Sequence, residues 1–154
     1  MSSVERVRAA LITAGHPDTI TLFPTSTRTV ADAAAAVGCT IAQIAKSIVF
    51  RSGEKPVLVI ASGVNRVDPA KVAAALNTSI DNAEGRWVRD VTGFAIGGVA
   101  PVGHQTEPLI LIDEDLLKLD PIWAAAGSPA HTFQTTPQAL IRLTGGRTAD
   151  IKQA

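Results

Sequence analysis

The sequence predicts a mixed α/β fold, with one mixed sheet and helices packed round it. Two apolar runs, Ser47–Arg51 and Pro56–Ala61, flank Ser52-Gly53-Glu54-Lys55, a hairpin signature with a four-residue loop. Further β-rich runs, Leu109–Asp113 and Thr132–Thr135, are set apart by amphipathic stretches of helical spacing. Strands in hairpin order together with strands separated by helices require a sheet of mixed direction. The chain shows no internal repeat, low-complexity segment or linker, and its 154 residues are read as a single domain, 1–154, large enough for a real core.

In order along the chain, Val4, Val7, Ala10, Leu11 and Ala14 mark an N-terminal helix that stops at Gly15. Thr19–Phe23 is β-branched and closed by Pro24, which suits a strand. Ser26 or Thr29 can cap the following alanine-rich helix, Val30–Val37, with Asp32 in its first turn and Gly38 at its end. Thr40 caps a short helix over Ile41–Ala45. The hairpin strands are apolar on nearly every residue, so both faces are expected to be covered. Asp68 caps Pro69–Leu76, with proline at the first helical position. A short helix is expected over Ala83–Val91 and a helical turn over Glu114–Leu117. Ile122–Ala126 reads as a strand, Thr136 caps the helix Pro137–Leu143, and Ala149–Ile151 forms a last strand.

Composition excludes several classes. Lys+Arg and Asp+Glu both number 14, so binding driven by bulk charge attraction to nucleic acid is not expected, though contact at a few phosphates is compatible. The single Cys39 forms no intramolecular disulfide and fits a reducing compartment. No apolar run approaches the ~20 residues of a membrane span. Glu5, Arg6 and Arg8 interrupt the N-terminal apolar pattern, as in an amphipathic helix and unlike a signal peptide. A cytoplasmic location with no membrane contact follows as an expectation.

The stretch Val91–His104 concentrates four of the twelve glycines, Gly93, Gly97, Gly98 and Gly103, beside Pro101. Glycine costs about 1 kcal/mol against alanine within a helix, and an interior proline about 3 kcal/mol. The stretch is therefore either a glycine-rich turn or a loop whose amides converge on an anion or a polarised carbonyl. Lys46 alternates in register with Ile48 and Phe50. It either snorkels off the strand end or points into a cavity. Cys39 is read as a small buried hydrophobe and not as a nucleophile. His104 and His131 have no partners at metal-ligand spacing, so no metal site is expected. Arg66, Lys71, Arg86 and Arg89 form either a basic patch or an ordinary solvated face.

Three segments taken together resemble the YbaK/ProX family: Ala45-Lys46-Ser47-Ile48-Val49-Phe50, Gly63-Val64-Asn65-Arg66-Val67-Asp68, and Gly93 through His104. Gly127-Ser128-Pro129-Ala130-His131 and the closing helix and strand extend the likeness over nearly the whole chain. These proteins are trans-acting aminoacyl-tRNA deacylases related to the editing domain inserted in bacterial prolyl-tRNA synthetases. The resemblance implies a mixed sheet curled into a barrel-like core, a functional lysine at Lys46, and a GxxxP loop at Gly97–Pro101. It also implies hydrolysis of the ester between a wrong amino acid and the tRNA 3′ end, chiefly on proline tRNA, without metal or organic cofactor. Alanine, cysteine, serine and threonine are the candidate amino acids, with a lean towards alanine.

Within that frame, backbone N–H groups of Gly97, Gly98, Val99 and Ala100 are the catalytic candidates beside Lys46; Pro101 has no N–H to offer. A lysine of ordinary pKa, ~10.4, acts here by charge and positioning and not as a base. No strong base is evident, which suits activation of water by the substrate's own ribose hydroxyl. Ile48, Phe50, Pro101, Ser128 and His131 are expected to border the substrate. Mischarged tRNA is the expected partner, with prolyl-tRNA synthetase as a second, and either monomer or homodimer as the assembly. The alternative is a non-catalytic module of the same fold that binds aminoacyl-tRNA or a nucleotide.

Overall fold

The computed structural model describes residues 1–24 and 27–154. Five α-helices are present: α1 (Ser3–Thr13), α2 (Val30–Val37), α3 (Pro69–Leu76), α4 (Gly85–Thr92) and α5 (Pro137–Thr144). Local chemistry sets their ends. The Ser2 side chain accepts from the Glu5 amide, and Thr29 and Asp32 form a reciprocal capping box at α2. Asp68 and Thr136 cap α3 and α5, each followed by proline inside the first turn. Gly38, Gly93 and Gly145 end α2, α4 and α5 in the left-handed conformation. Ser26, the other candidate cap for α2, lies outside the described residues.

The strands are β1 (Ile20–Leu22), β2 (Ile44–Ser52), β3 (Lys55–Ser62), β4 (Asp81–Asn82), β5 (Leu109–Asp113), β6 (Ile122–Ala125), β7 (His131–Thr135) and β8 (Arg147–Ala149). They form one mixed sheet in the order β1-β7-β6-β2-β3-β5-β8, with β4 added to β2. The path is open, ending at β1 and β8, so the sheet does not close on itself. The pairs β2/β6, β3/β5 and β5/β8 are parallel; β1/β7, β2/β3, β2/β4 and β6/β7 are antiparallel. β6 pairs with β2 only at Ile44 and Ala45, and β4 only at Phe50 and Arg51. Among the described residues, that edge of β2 therefore has no strand opposite Lys46–Val49. The sheet splits there.

Residues of β3 alternate between two cores, because successive side chains of a strand face opposite ways. Leu58 and Ile60 join Val7 and Leu11 of α1, Val88, Phe94, Phe133 and Leu140 in one cluster. Val57, Val59 and Ala61 join Phe50, Val72, Leu111 and Ile151 in the other. Covering both faces leaves β3 buried from Pro56 to Ser62, as its unbroken apolar run predicts. Each fully buried Leu, Ile or Phe contributes roughly 1.5–3 kcal/mol against exposure.

The sequence reading needs correction at several places in and beside the sheet. The helical turn after Thr40 covers only Ile41–Gln43, and β2 begins at Ile44, so Lys46 lies inside the strand and not at its start. The hairpin loop is two residues, since Ser52 pairs directly with Lys55; Gly53, at φ 61°, makes the tighter turn possible. β4 carries no apolar pattern and both its residues are exposed, so nothing in composition marks it. The last strand lies at Arg147–Ala149; Ile151 is instead fully buried in the second cluster.

Candidate active site

Where the sheet splits, a cavity of about 470 Å³ opens. Its walls come from Ile44–Ser47 of β2, the glycine-rich segment at Ile96, Gly97 and Val99, the turn at Ser128 and Pro129, and the segment leading into α2. Lys46 lines it half-buried, and its Nζ donates to the Gly63 carbonyl at a long 3.5 Å. Partial burial lowers the Lys46 pKa from its ordinary 10.5; the Arg66 guanidinium lowers it further, while Asp113 acts in the opposite sense. The loop that carries Gly63 is itself fixed by Asp113. That buried carboxylate accepts from the Ser62 amide at 3.0 Å, Asn65 Nδ2 at 2.7 Å and the Asp115 amide at 2.9 Å.

The glycine-rich segment belongs to no strand. Gly97 adopts φ 91°, a region open to glycine at little cost. Gly98 is required for a different reason: a Cβ there would lie 2.6 Å from Ser128 Cα, so the segment packs backbone to backbone against the Ser128 turn. The Gly98 amide donates to the Ala95 carbonyl at 3.0 Å and closes a turn. Among the described residues, the amides of Gly97, Val99 and Ala100 have no protein acceptor. Val99 and Ala100 are nevertheless buried. A buried N–H left without a partner costs roughly 1–3 kcal/mol, which a ligand or water oxygen would recover.

Opposite the loop, Ser128 Oγ lies 2.7 Å from His131 Nδ1 and accepts from the Ala130 amide at 3.0 Å. Ser128 and His131 both line the cavity. His131 opens β7 opposite Leu22 of β1, so two strands fix its position. Ser47, beside Lys46 in the wall, has a buried hydroxyl with no partner among the described residues.

Of the residues expected from sequence, Lys46, Gly97, Val99, Ser128 and His131 meet at this cavity. Ile48 and Phe50 do not. Alternation places them on the same face of β2 as Lys46, but two and four residues on, or roughly 7 and 13 Å along the strand. Phe50 is part of the second core, and Ile48 packs against it. Pro101 is buried and borders a separate hollow with His104. Ala100 lies just behind the wall, its carbonyl accepting from His104 Nε2 at 2.6 Å. The Gly98 amide, expected as an oxyanion donor, is occupied by Ala95.

Sequence reasoning did not pick out Phe23, Arg28, Ile96 or Thr132 as lining residues. Arg28 directly precedes the Thr29 cap, and that cap was the available signal that the residue sits at a helix start. A hollow of similar size, about 540 Å³, borders His16, Asp120, Thr135 and Arg142, but neither Lys46 nor the glycine loop reaches it. Among the described residues no group of three or more His, Cys, Asp or Glu side chains is placed to hold a metal ion, and no helix is long and apolar enough to cross a membrane.

A mixed sheet split at a lysine-bearing strand, with a glycine loop across the gap, frames the candidate site. Residues 25–143 match the family model described as the aminoacyl-tRNA editing domain, and the chain belongs to that family. A crystal structure of a candidate trans-editing enzyme for prolyl tRNA synthetase superposes with a TM-score of 0.94 at 42% identity, covering 100% of this chain and 99% of that one. YwhH of Bacillus subtilis, which is uncharacterised, is 30% identical over 139 residues, 90% of this chain and 88% of its own length. EbsC of Enterococcus faecalis, a candidate Cys-tRNA(Pro)/Cys-tRNA(Cys) deacylase, is 26% identical over 97 residues, 62% of this chain and 59% of its own. The YbaK/ProX resemblance and the mixed α/β fold are thus established.

Proposed function

We propose that this chain is a trans-acting hydrolase that removes a small wrong amino acid, alanine foremost, from mischarged proline tRNA. The observation that carries this reading is the meeting of Lys46 with Gly97 and Val99 at one cavity. The tRNA 3′ end enters with its ester carbonyl towards the Gly97 and Val99 amides. Water attacks the carbonyl carbon, and the negative charge that gathers on oxygen is met by those N–H groups. The neighbouring ribose hydroxyl takes the water proton. The C–O bond to the ribose then breaks as that hydroxyl passes its own proton to the departing ribose oxygen, leaving free amino acid and uncharged tRNA. Lys46, as a cation, attracts the ester oxygen or the terminal nucleotide's phosphate. The Ser128–His131 pair and the Ser47 hydroxyl border the amino-acid side chain and offer polar partners beside an apolar wall.

The reaction uses no metal or organic cofactor. Residues 1–154 act as one domain in the cytoplasm on tRNA released by, or still near, prolyl-tRNA synthetase. Incubation with Ala-, Cys-, Ser- and Thr-charged proline tRNA tests the reading. Release of one or more amino acids above the buffer rate is expected, and no release from any of the four removes the hydrolase assignment in favour of a binding module.

A further inference from the structure

Helix α1 sends two side chains into loops far from it in sequence. Ser3 Oγ donates to the Gly127 carbonyl at 2.6 Å. One turn later, Arg6 Nε donates to the Gly103 carbonyl at 3.1 Å and Arg6 Nη2 to the Gly93 carbonyl at 2.9 Å. A spacing of three places both residues on one face of the helix. Gly93 and Gly103 are the two ends of the glycine-rich segment, and Gly127 opens the turn that carries Ser128 and His131.

The glycines show how closely the helix approaches. A Cβ on Gly93 would lie 2.3 Å from Arg6 Nη2, one on Gly127 would lie 2.7 Å from the Ser3 carbonyl oxygen, and one on Gly103 would lie 3.3 Å from the Arg6 main chain. All three have positive φ, at 82°, 100° and 79° respectively. The Arg6 guanidinium also lies 4.9 Å from the centre of the buried Phe94 ring. Phe94 in turn meets His104 edge-on at 5.1 Å, and His104 holds the Ala100 carbonyl. A packed chain of contacts thus runs from α1 to the residue beside Val99. Neither Ser3 nor Arg6 lines the cavity.

We propose that Ser3 and Arg6 make α1 a bracket that fixes the two cavity-walling loops relative to each other, with Arg6 a positioning residue for deacylation. This rests on the hydrolase reading above. A guanidinium has its donors in a rigid fork and spans two carbonyls at once; an ammonium is a strongly hydrated point charge on a flexible stem, without that fixed geometry. Loss of the fork lets the loop ends separate, and misplacement by about 1 Å from a distant substitution can cost about 10²-fold in rate.

The test uses Arg6→Met, Arg6→Lys and Ser3→Ala in the full chain. Two readouts are taken well below each variant's melting temperature: amide hydrogen exchange, and single-turnover deacylation of Ala-charged proline tRNA. Arg6→Met should speed exchange in 93–104 and 126–131 while the β2–β3 hairpin keeps its native protection. The deacylation rate should fall about 10²-fold, with half-saturation by tRNA unchanged. Arg6→Lys should recover only a small part of that loss. If Arg6→Met does not fold, Ser3→Ala carries the same comparison on 126–131. An unchanged rate in the variants overturns the proposal, as does a rate loss matched by equally faster exchange in the hairpin. An inactive wild type whose Arg6→Met variant shows loosened loops removes the hydrolase reading and keeps the bracket. An active wild type with native rate and exchange in Arg6→Met removes the bracket and keeps the reading.

Discussion

In the proposed reaction Lys46 carries the positive charge, and its surroundings make two measurable demands. Replacing it with alanine should lower deacylation by about 10²-fold, the scale of losing one interaction with the developing oxyanion; single-turnover rates with unchanged melting temperature would establish that. A binding module would show altered affinity alone. Because burial lowers the Lys46 pKa from 10.5, the charge is lost at a lower pH than for a free lysine. Enzyme-catalysed release, corrected for spontaneous ester hydrolysis, should therefore decline on the alkaline side below that value, and Lys46→Arg should move the decline upward. His104 makes a different demand. Its pKa is lowered from 6.5, first by burial and then by Arg6, against the opposing Ala100 hydrogen bond. With Nε2 donating to Ala100, its buried Nδ1 has no partner among the described residues, so a second proton has nowhere to bond. The unfolded chain then binds more protons than the native one as pH falls through 6.5, and stability drops there. Denaturant midpoints measured from pH 7.5 down to the lowered pKa should fall in the wild type and flatten in His104→Asn. Equal slopes in the two proteins would remove His104 from the account.

Among the elements, the GxxxP segment separates two uses of glycine that the sequence presents as one. Gly97 needs its φ of 91°, yet a Cβ would meet nothing nearer than Pro129 Cγ at 3.9 Å. Gly97→Ala should thus carry backbone strain of roughly 1–2 kcal/mol without moving a neighbour. Gly98 has no such φ, but its Cβ would strike Ser128 Cα and carbonyl carbon at 2.6 and 2.7 Å. Those are backbone atoms and cannot swing aside, so Gly98→Ala must push the Ser128–His131 turn away from the loop. We expect Gly98→Ala to lose the larger share of activity and Gly97→Ala the smaller, at comparable melting temperatures; the reverse order would mean that backbone conformation, and not loop contact, limits the site. The concentration of glycine was legible in sequence. Which glycine answers to which constraint was not, since the clashing partners lie thirty residues or more away. Caps were read well because their chemistry is local: Thr29 with Asp32, Asp68 before Pro69, and Thr136 before Pro137 all act within a single turn.

At the scale of the whole molecule, legibility ends where long-range pairing begins. The apolar run of β3 announced a buried strand, and alternation placed Lys46, Ile48 and Phe50 on one face of β2. Nothing local states that β6 leaves β2 after Ala45 and β4 joins only at Phe50, and this parting opens the cavity at Lys46 and takes Ile48 and Phe50 out of it. The convergence of Phe23, Arg28, Ile96 and Thr132 is hidden for the same reason: it follows from strand order, to which no single segment contributes a visible signal. The two cores on either side of the sheet give the last prediction. Leu111 and Ile112 are neighbours on β5, both fully buried, but Leu111 belongs to the cluster with Phe50 and Val72, and Ile112 to the cluster with Phe94, Val99 and Ala100. Truncating either to alanine removes similar apolar volume and should cost about 2–5 kcal/mol. Only Ile112→Ala leaves a void in the core that supports the glycine-rich segment, so only that variant should loosen it. At a temperature where both remain folded, Leu111→Ala should retain near-native deacylation and loop-amide protection, while Ile112→Ala should lose both. Equal effects from the two would mean that strain crosses the sheet freely and that the site depends on the sheet as a whole, not on one of its faces.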